Sequence, residues 1–374
     1  MVGGGEGAFI GAVHRMAARL DDRYELVAGA LSSTAAAAQR SGRVLGLAPD
    51  RIYDDYQKMA RAESARADGI EAVSIVTPNH LHAPVARAFL EAGIHVICDK
   101  PVTTNSADAR ELKALAEARG LIFAVTHNYS AYPLVRHAQQ MVQDGVLGQI
   151  RIVQVEYVQD WLAEPLEDSG HKQAAWRVDP ARAGGGAVGD IGTHAWQLAD
   201  TIVGAPVEAL AAELHSFVPG RLIDDDVQVL LRYANGARGM LWASQVAPGH
   251  PNDLRIRVYG SKGGIEWAQQ QPNQLRWTPL GESTRIVERG SGAMNGAGAR
   301  TSRVPGGHTE GYVEAFSALY SEIAVHLLAR RGGADADISA ARFPTIDDGL
   351  RGVLFIETVQ ASSRAGGVWT PMEQ

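Results

Sequence analysis

The chain has 374 residues, too many for one ordinary hydrophobic core, and its 45% hydrophobic and 21% charged content is that of a water-soluble globular protein with two domains. A net charge of −7 without a basic run argues against a nucleic-acid partner, and the single cysteine, Cys98, excludes an intramolecular disulfide or a cysteine zinc site. No apolar run approaches the ~20 residues that span a bilayer and no signal peptide precedes the first motif, so we expect a cytoplasmic protein without a membrane partner.

The first eleven residues form a glycine-rich loop. Gly3, Gly5 and Ala8 fit the dinucleotide fingerprint G-x-G-x-x-G/A, with Gly7 inside it. The apolar spacing of residues 8–20 predicts a helix whose N-terminal amides would face a pyrophosphate. Only two residues precede the first glycine, so either the strand before the loop is very short or the natural start lies upstream.

A buried strand is predicted over 24–31, and it ends where an acid normally holds the adenosine ribose of NAD. Ser32 and Ser33 stand there instead. Their hydroxyls would hold the ribose, or with Arg40 would accept the extra phosphate of NADP; alternatively, two serines simply end a strand. Because no basic residue directly follows the serines, we expect NAD, with NADP as the open alternative.

Helices and strands then alternate along the chain. Helices are predicted at 56–67, 84–92 and 107–119, and strands at 72–76, 94–98 and 121–126. This alternation predicts a Rossmann domain, a doubly wound parallel sheet, over residues 1–130.

Polar residues follow three of these strands. They are Thr77, Pro78, Asn79, His80 and His82, then Asp99 and Lys100, then His127, Asn128 and Tyr129. Because ligands bind outside the carboxyl ends of parallel strands, we expect several of these residues to line a ligand site. A metal site is not expected, because no acid or cysteine joins His80 and His82 at ligand spacing.

The pattern changes in the second domain, 131–374. After a helix at 134–143, alternating runs predict strands at 149–160, 207–217, 227–233, 240–246, 253–259 and 263–267. A loop rich in Gly, Ser and Ala is predicted at 289–307 as a mobile segment, and helices at 312–329 and 346–363. The fold class is therefore α/β, with a large open, mainly antiparallel sheet in the second domain. The last helix could pack back on the first domain. Apolar residues on the second face of the sheet predict a homo-oligomer, a dimer or tetramer formed through residues 207–267.

The stretch Gly184–His194 reads Gly-Gly-Gly-Ala-Val-Gly-Asp-Ile-Gly-Thr-His. Apolar spacing from Ile191 onward predicts a helix, which places Asp190 at its mouth and His194 one turn later on the same face. An acid four residues before a histidine can orient the imidazole and stabilise its charged form, which suits a general base. The alternative is that Asp190 only caps the helix.

Several of these motifs together resemble the glucose–fructose oxidoreductase/inositol dehydrogenase (Gfo/Idh/MocA) family. They are the glycine loop, Thr77-Pro78-Asn79 with His82, Asp99-Lys100-Pro101, Asn128-Tyr129, Trp176-Arg177, and Gly184–Gly186 with Asp190 and His194. The pairing of Lys100-Pro101 with Asp190-Ile-Gly-Thr-His194 is the most specific part. The sequence departs from the family at Asp99, where Glu is usual, and in the missing strand-end acid.

The resemblance implies hydride transfer between a nicotinamide and an inositol, a pyranose such as L-glucose, or an anhydrosugar. It implies a catalytic trio of Lys100, Asp190 and His194. The implied cofactor contacts are Gly3, Gly5, Gly7, Ala8, Ser32, Ser33, Thr77, Pro78, Asn79, His82, Asp99, Lys100 and Asn128. The substrate contacts are Lys100, Tyr129, Trp176, Arg177, Asp190, His194 and His308, with Glu310 a further candidate. Trp176 could instead be core, and His308 and Glu310 could simply start a helix.

The chemistry of the trio agrees with a dehydrogenase. His194 can take the hydroxyl proton while Asp190 holds its ring, and Lys100 can stabilise alkoxide charge or act as the base itself. Two other functions occur among members of the family: glycoside cleavage with transiently used NAD, and sensing without turnover. A sensor should lack a complete trio, which this chain has.

Overall fold

The computed structural model describes residues 1–169, 172–332 and 340–373. The chain forms two compact units, and neither is continuous in sequence. The first unit contains Met1–Asn128 and Phe316–Leu350, and the second contains Tyr129–Ala315 and Arg351–Gln374. A segment from the last part of the chain therefore completes the first unit, whereas the sequence placed a single boundary between residues 130 and 131.

The α-helices of the described residues are α1 (Phe9–Leu20), α2 (Ala35–Val44), α3 (Tyr56–Ser64), α4 (His82–Glu91), α5 (Ser106–Ala118), α6 (Pro133–Gln143), α7 (Lys172–Arg177), α8 (Pro180–Ala183), α9 (Thr193–Val203), α10 (Gly296–Arg300), α11 (Tyr312–Arg330) and α12 (Ile346–Arg364). The strands are β1 (Val2–Gly3), β2 (Ala72–Val76), β3 (His95–Cys98), β4 (Phe123–Val125), β5 (Ile150–Val158), β6 (Val207–His215), β7 (Asp226–Tyr233), β8 (Arg238–Ser244), β9 (Asp253–Gly260), β10 (Gly263–Ala268), β11 (Gln274–Pro279), β12 (Arg285–Glu288) and β13 (Thr370–Pro371).

The first unit is built on a parallel sheet in the order β1-β2-β3-β4. Val73 and Ile75 lie on one face of β2, Val96 and Ile97 lie on opposite faces of β3, and all four are buried, as in parallel strands covered by helices. The predicted doubly wound parallel sheet is confirmed.

The strand expected over 24–31 is wrong. Only Gly29 and Ala30 form isolated bridges, with Ile52 and Val2. The amide of Ala30 donates to the carbonyl oxygen of Met1 at 3.0 Å. Since β1 is only two residues long, it offers no partner for a longer ladder, and a strand exists only where a neighbouring backbone pairs with it.

The second unit is built on a nine-stranded sheet in the order β12-β11-β10-β9-β5-β8-β7-β6-β13. Only β5 and β8 pair in parallel, so the sheet is mainly antiparallel, as predicted. The sequence pattern missed β11 and β12. Most of their side chains are at least partly exposed, and strands with little burial carry a weak alternation of apolar and polar residues.

One face of this sheet is buried against α6, α9 and α12. Along β7, Val229 and Leu231 point into this core, and Leu230 between them points away. Trp196 of α9 stacks on Phe355 of α12 with 5.4 Å between ring centroids. The other face, which we call the outer sheet face, carries the exposed apolar side chains Ile152, Leu230, Met240, Trp242 and Tyr259.

The segment 289–307, predicted as a loop, contains α10 and is held by a buried arginine. Arg289 Nη1 lies 2.9 Å from Glu310 Oε1 and 2.7 Å from the carbonyl oxygen of Val304, and its Nε donates to Asn273 Oδ1 at 2.8 Å. These bonds fix both ends of the segment. In the ranges that the structure describes, no helix has the length and the apolar content that crossing a bilayer requires.

Candidate functional site

The glycine loop of the first unit is packed on one side and open on the other. A Cβ on Gly5 would lie 2.5 Å from the carbonyl oxygen of Leu31, and a Cβ on Gly11 would overlap the Cα of Gly4. Gly7 has a φ of 76°, and no atom lies within 4 Å of the position that a Cβ would take. The loop therefore leaves open space at Gly7, where a ligand can approach the backbone.

Helix α1 begins directly after this loop. Ala8 is the N-cap residue and makes no side-chain capping bond, and the first turn holds no acidic residue. The N-terminal amides of α1 thus suit an anionic ligand such as a pyrophosphate. Gly4 and Gly11, which the fingerprint did not include, make the close contact between loop and helix. Gly11 could have been recognised from the sequence, because it lies about one helical turn after Ala8, the last residue of the fingerprint.

The predicted ribose-binding position lies beside α2. Ser32 Oγ accepts a hydrogen bond from the Thr34 amide at 3.4 Å. Arg40 Nε lies 3.5 Å from a carboxylate oxygen of Glu6, and both side chains are largely exposed. Sequence reasoning did not consider Glu6, although it lies within the glycine loop and opposes the one arginine that could bind a 2′-phosphate.

Two strand ends in the first unit keep polar atoms unsatisfied. Thr77 Oγ1 and Asn128 Nδ2 are buried, and neither has a hydrogen-bond partner within the described part of the chain. Buried polar atoms normally find partners, so these two fit a polar ligand. Asp99 differs, because its Oδ1 already accepts bonds from Thr126 Oγ1 at 3.1 Å and from the Lys100 amide at 2.8 Å. With the open loop at Gly7, these residues fit a nicotinamide dinucleotide.

His82, expected as a cofactor contact, is engaged by the chain itself. Its Nδ1 lies 2.7 Å from the carbonyl oxygen of Pro101 and its Nε2 lies 2.9 Å from that of Thr77. Burial lowers the pKa of His82, whereas the bonds to the two carbonyl oxygens act in the opposite direction and favour the charged ring. His82 thus ties the turn at Lys100 to the end of β2. Burial, with Lys100 nearby, also lowers the pKa of His127 to about 3, which leaves that ring uncharged.

In the second unit, Asp190 lies in the first turn of a helical run that begins before the predicted helix. A π-helical turn covers Val188–Gly192, in which the Thr193 amide donates to the carbonyl oxygen of Val188 five residues earlier, and α9 continues from Thr193. The residue before α9, Gly192, is itself helical and makes no capping bond. Asp190 is therefore a residue of the first helical turn and not the N-cap residue of α9. Single π turns within helices are frequent at functional sites.

A second carboxylate, Asp224, shapes this turn. Its two oxygens accept hydrogen bonds from the amides of Gly186 at 2.9 Å and Val188 at 2.8 Å. A Cβ on Gly186 would overlap the carbonyl oxygen of Asp224, so only glycine fits there. Burial raises the pKa of Asp224 to about 6. Sequence reasoning missed Asp224, because it lies far along the chain from the loop it holds.

A hydrogen bond and an ion pair meet at one carboxylate oxygen of Asp190. Gln245 Nε2 donates to Asp190 Oδ2 at 2.9 Å, and Arg177 Nε lies 3.5 Å from the same atom. The guanidinium of Arg177 also stands over the ring of Trp176, 4.3 Å from its centroid. Of the predicted substrate residues, the structure thus brings Arg177 to Asp190, and Trp176 lies against the guanidinium of Arg177. Gln245 is an additional member that the sequence did not reveal.

His194 lies among aromatic rings and is 9% exposed. The ring of Tyr129 meets it edge-on at 4.9 Å, and the hydroxyl of Tyr129 lies 2.7 Å from that of Tyr157. Tyr157 in turn donates to Asn252 Oδ1 at 2.8 Å. Burial raises the pKa of both tyrosines, so their hydroxyls stay protonated at neutral pH. Of these three side chains, His194 is the one suited to accept a proton.

The two remaining candidates have different surroundings. Glu310 is buried against Arg289, and its Oε1 also accepts the amides of Arg303 at 2.7 Å and Val304 at 3.0 Å. Its carboxylate therefore fastens the segment 289–307 and does not start a helix, since α11 begins at Tyr312. His308 is exposed, with its Nδ1 3.3 Å from the carbonyl oxygen of Pro305.

Two family models match the chain. Residues 1–127 match the oxidoreductase family with an NAD-binding Rossmann fold, and residues 135–266 match the GFO/IDH/MocA C-terminal domain.

Solved structures match almost the full length. An oxidoreductase from Sinorhizobium meliloti is 51% identical with a TM-score of 0.90, covering 99% of this chain and 98% of its own. An inositol dehydrogenase homolog from Azotobacter vinelandii, complexed with NADH and myo-inositol, is 36% identical with a TM-score of 0.93, covering 99% and 96%. A levoglucosan dehydrogenase, complexed with NADH and levoglucosan, is 26% identical with a TM-score of 0.82, covering 100% and 98%.

Proposed function

This chain belongs to the Gfo/Idh/MocA oxidoreductase family, and on that basis we propose that it is an NAD-dependent dehydrogenase that oxidises a ring hydroxyl of a cyclitol or pyranose. Its first 127 residues are the family's NAD-binding Rossmann domain. The observation that carries the proposal is the complete set of Lys100, Asp190 and His194 in a chain with this nucleotide domain.

The residues have distinct roles in this proposal. His194 takes the proton of the substrate hydroxyl, and Asp190, one helical turn earlier, stabilises the imidazolium that forms. Lys100 donates a hydrogen bond to the substrate oxygen and stabilises its developing negative charge. When bound, NAD supplies the hydride acceptor. Two electrons and one proton leave as hydride, and the second proton leaves through His194, so the alcohol becomes a ketone or, at an anomeric carbon, a lactone.

Inositols are the first substrate class to test. The Azotobacter vinelandii homolog was crystallised with myo-inositol and is more similar to this chain than the levoglucosan dehydrogenase is. Both ligands present ring hydroxyls, which the polar set of Arg177, Asp190 and His194 can bind. Levoglucosan and L-glucose follow as alternatives within the same class.

The test is a screen of inositols, levoglucosan and aldoses with NAD and NADP, followed by the absorbance of the reduced cofactor. We expect one ring alcohol to give sustained reduction. Hydrolysis of a glycoside without net reduction would identify a redox-assisted glycosidase instead. If the protein binds NAD and sugar but no compound is converted, it is a sensor.

A further inference from the structure

We propose that Gln245 is a positioning residue that keeps Asp190 ionised and correctly oriented toward His194. The inference rests on the proposed function and extends it to a residue outside the implied trio. Gln245 does not touch the reacting atoms in this proposal. It acts through the carboxylate of Asp190.

Both backbone polar groups of Gln245 are hydrogen-bonded. The residue follows β8 and is 2% exposed. Its amide donates to the carbonyl oxygen of Asp225 at 2.8 Å, and its own carbonyl oxygen accepts the Leu162 amide at 3.1 Å. With both backbone groups held, the side chain extends from a rigid base to Asp190 Oδ2 at 2.9 Å. The donor is therefore held in place before any substrate binds.

A buried amide suits this role better than a charged group would. Hydrogen bonds to a carboxylate favour its ionised form, and an amide donates at every pH. The ion-pair partner, Arg177 Nε, is farther away at 3.5 Å and its side chain is 26% exposed. Arg177 could exchange its contact with Asp190 for a substrate hydroxyl, whereas Gln245 would keep its hydrogen bond to Asp190.

The neighbouring ionisable groups do not replace Gln245. Burial, together with the negative charge of Asp190, raises the pKa of Tyr129 and of Tyr157, so both hydroxyls remain protonated. The carboxylate of Asp225 is occupied by the amides of Phe217 and Val218 and by Arg221. Gln245 thus donates a hydrogen bond to Asp190, and Arg177 forms an ion pair with the same carboxylate.

Two substitutions test the donor itself. Gln245→Met keeps the length of the side chain and removes the donor, and should lower kcat by roughly 10- to 100-fold, since hydrogen bonds to charged groups contribute about 1.5–3 kcal/mol. Gln245→Glu should depend on pH. Its protonated carboxyl can still donate to Asp190, but once it ionises it repels that carboxylate. We expect kcat of Gln245→Glu to acquire a new falling limb at higher pH that wild type lacks.

A matched control exists in the same unit. Gln140 at the end of α6 donates to Asp144 Oδ1 at 2.7 Å on the surface. Gln140→Glu places the same new carboxyl beside another aspartate, and its pH profile should follow wild type. NAD affinity, measured by calorimetry, should be unchanged in all three variants. A Gln245→Glu profile parallel to wild type would overturn the proposal, because a packing role adds no ionisation to kcat.

A second measurement does not require turnover. The pH at which His194 is half-protonated can be followed by its ring-proton resonances, assigned with His194→Ala. In Gln245→Met it should fall, because a neutral or turned Asp190 supports the imidazolium less. An unchanged titration of His194 would also overturn the proposal. A shifted titration in a protein that converts no ring alcohol would keep the role of Gln245 and reject the dehydrogenase.

Discussion

His194 and Asp190 are held by neighbours of opposite character. Aromatic rings surround His194, and hydrogen-bond donors surround Asp190. In the proposed reaction, His194 accepts the substrate proton and the carboxylate of Asp190, four residues earlier, stabilises the charge that arrives.

Replacing the trio should affect turnover far more than cofactor binding. His194→Ala or Lys100→Met should lower kcat by roughly 10²–10⁴, the range for a lost general base. NAD affinity of His194→Ala should change little, because the expected pyrophosphate contacts come from the glycine loop. Steady-state kinetics and calorimetry on the same samples separate these effects. Asp190→Asn should give an intermediate loss.

The pH profile provides the control for this prediction. In wild type, kcat/KM should rise with pH through the titration of the base, and His194→Ala should flatten or shift that limb. If His194→Ala retains wild-type kcat and only melts at a lower temperature, His194 is a packing residue.

The raised pKa of Asp224 predicts how the free energy of unfolding changes with pH. Its folded pKa of about 6 lies above the ordinary 3.8, so the stability it contributes is present at low pH and is lost as pH rises through 6. Between pH 4.5 and 7.5 this amounts to about 2 kcal/mol, at 1.36 kcal/mol per pKa unit. The free energy of unfolding of Asp224→Asn, relative to wild type, should improve by that amount over this interval. Denaturant titrations at the two pH values measure it, and a constant difference would contradict it.

The sequence predicted the residues whose chemistry is local in the chain, and missed those that act over long separations. Asp190 and His194 are recognisable because they stand four residues apart beside glycines. Asp224 and Gln245 contact the same stretch from 36 and 55 residues away, respectively, and no periodicity links such positions. The π-helical turn also escaped prediction, because the sequence there has ordinary helical spacing.

At the scale of elements, the contact of the glycine loop with α2 bears on cofactor choice. Arg40, the candidate for binding a 2′-phosphate, faces Glu6. The carboxylate of Glu6 partly neutralises this arginine and repels a second phosphate, which favours NAD.

We therefore predict a higher kcat/KM and tighter binding with NAD than with NADP. Arg40→Ala should leave the NAD values near wild type, since its guanidinium is exposed and paired. Kinetics and direct binding with each cofactor test this. A wild-type preference for NADP that disappears in Arg40→Ala would reverse the assignment.

Agreement between predicted and observed bounds does not follow the length of the element. The long helices α1 and α11 and the strand β2 lie within a residue of their predicted bounds. The strand expected at 24–31 failed because its partner β1 is too short to extend the pairing. Apolar composition permits a strand, but a second backbone must be present to form one.

At the scale of the whole molecule, the outer sheet face predicts self-association. Leu230 and Met240 are paired across β7 and β8 and are both exposed, with Trp242 beside them. Exposed apolar patches of this kind usually mark an interface. We expect a dimer or tetramer by light scattering at micromolar concentration.

Leu230→Glu should shift the protein toward the monomer, because it buries a charge at the proposed interface. Leu280→Glu is the matched control, since Leu280 is exposed but follows the end of β11, away from the outer sheet face. A wild-type monomer, or equal masses for the two variants, would argue against this interface.

Each unit consists of two separate stretches of the chain, and this limits how far it can fold during synthesis. Ribosomes release the chain from its amino terminus, yet the first unit needs Phe316–Leu350 and the second needs Arg351–Gln374. Until those segments emerge, His14 lacks the Tyr320 hydroxyl that it meets at 2.9 Å, and β4 lacks the Pro344 carbonyl that its Val125 amide binds. Domains that are continuous in sequence can fold one after another during translation. Here both units receive their closing pieces at the end, so a nascent chain stalled before Phe316 carries two unfinished cores for chaperones and proteases to recognise.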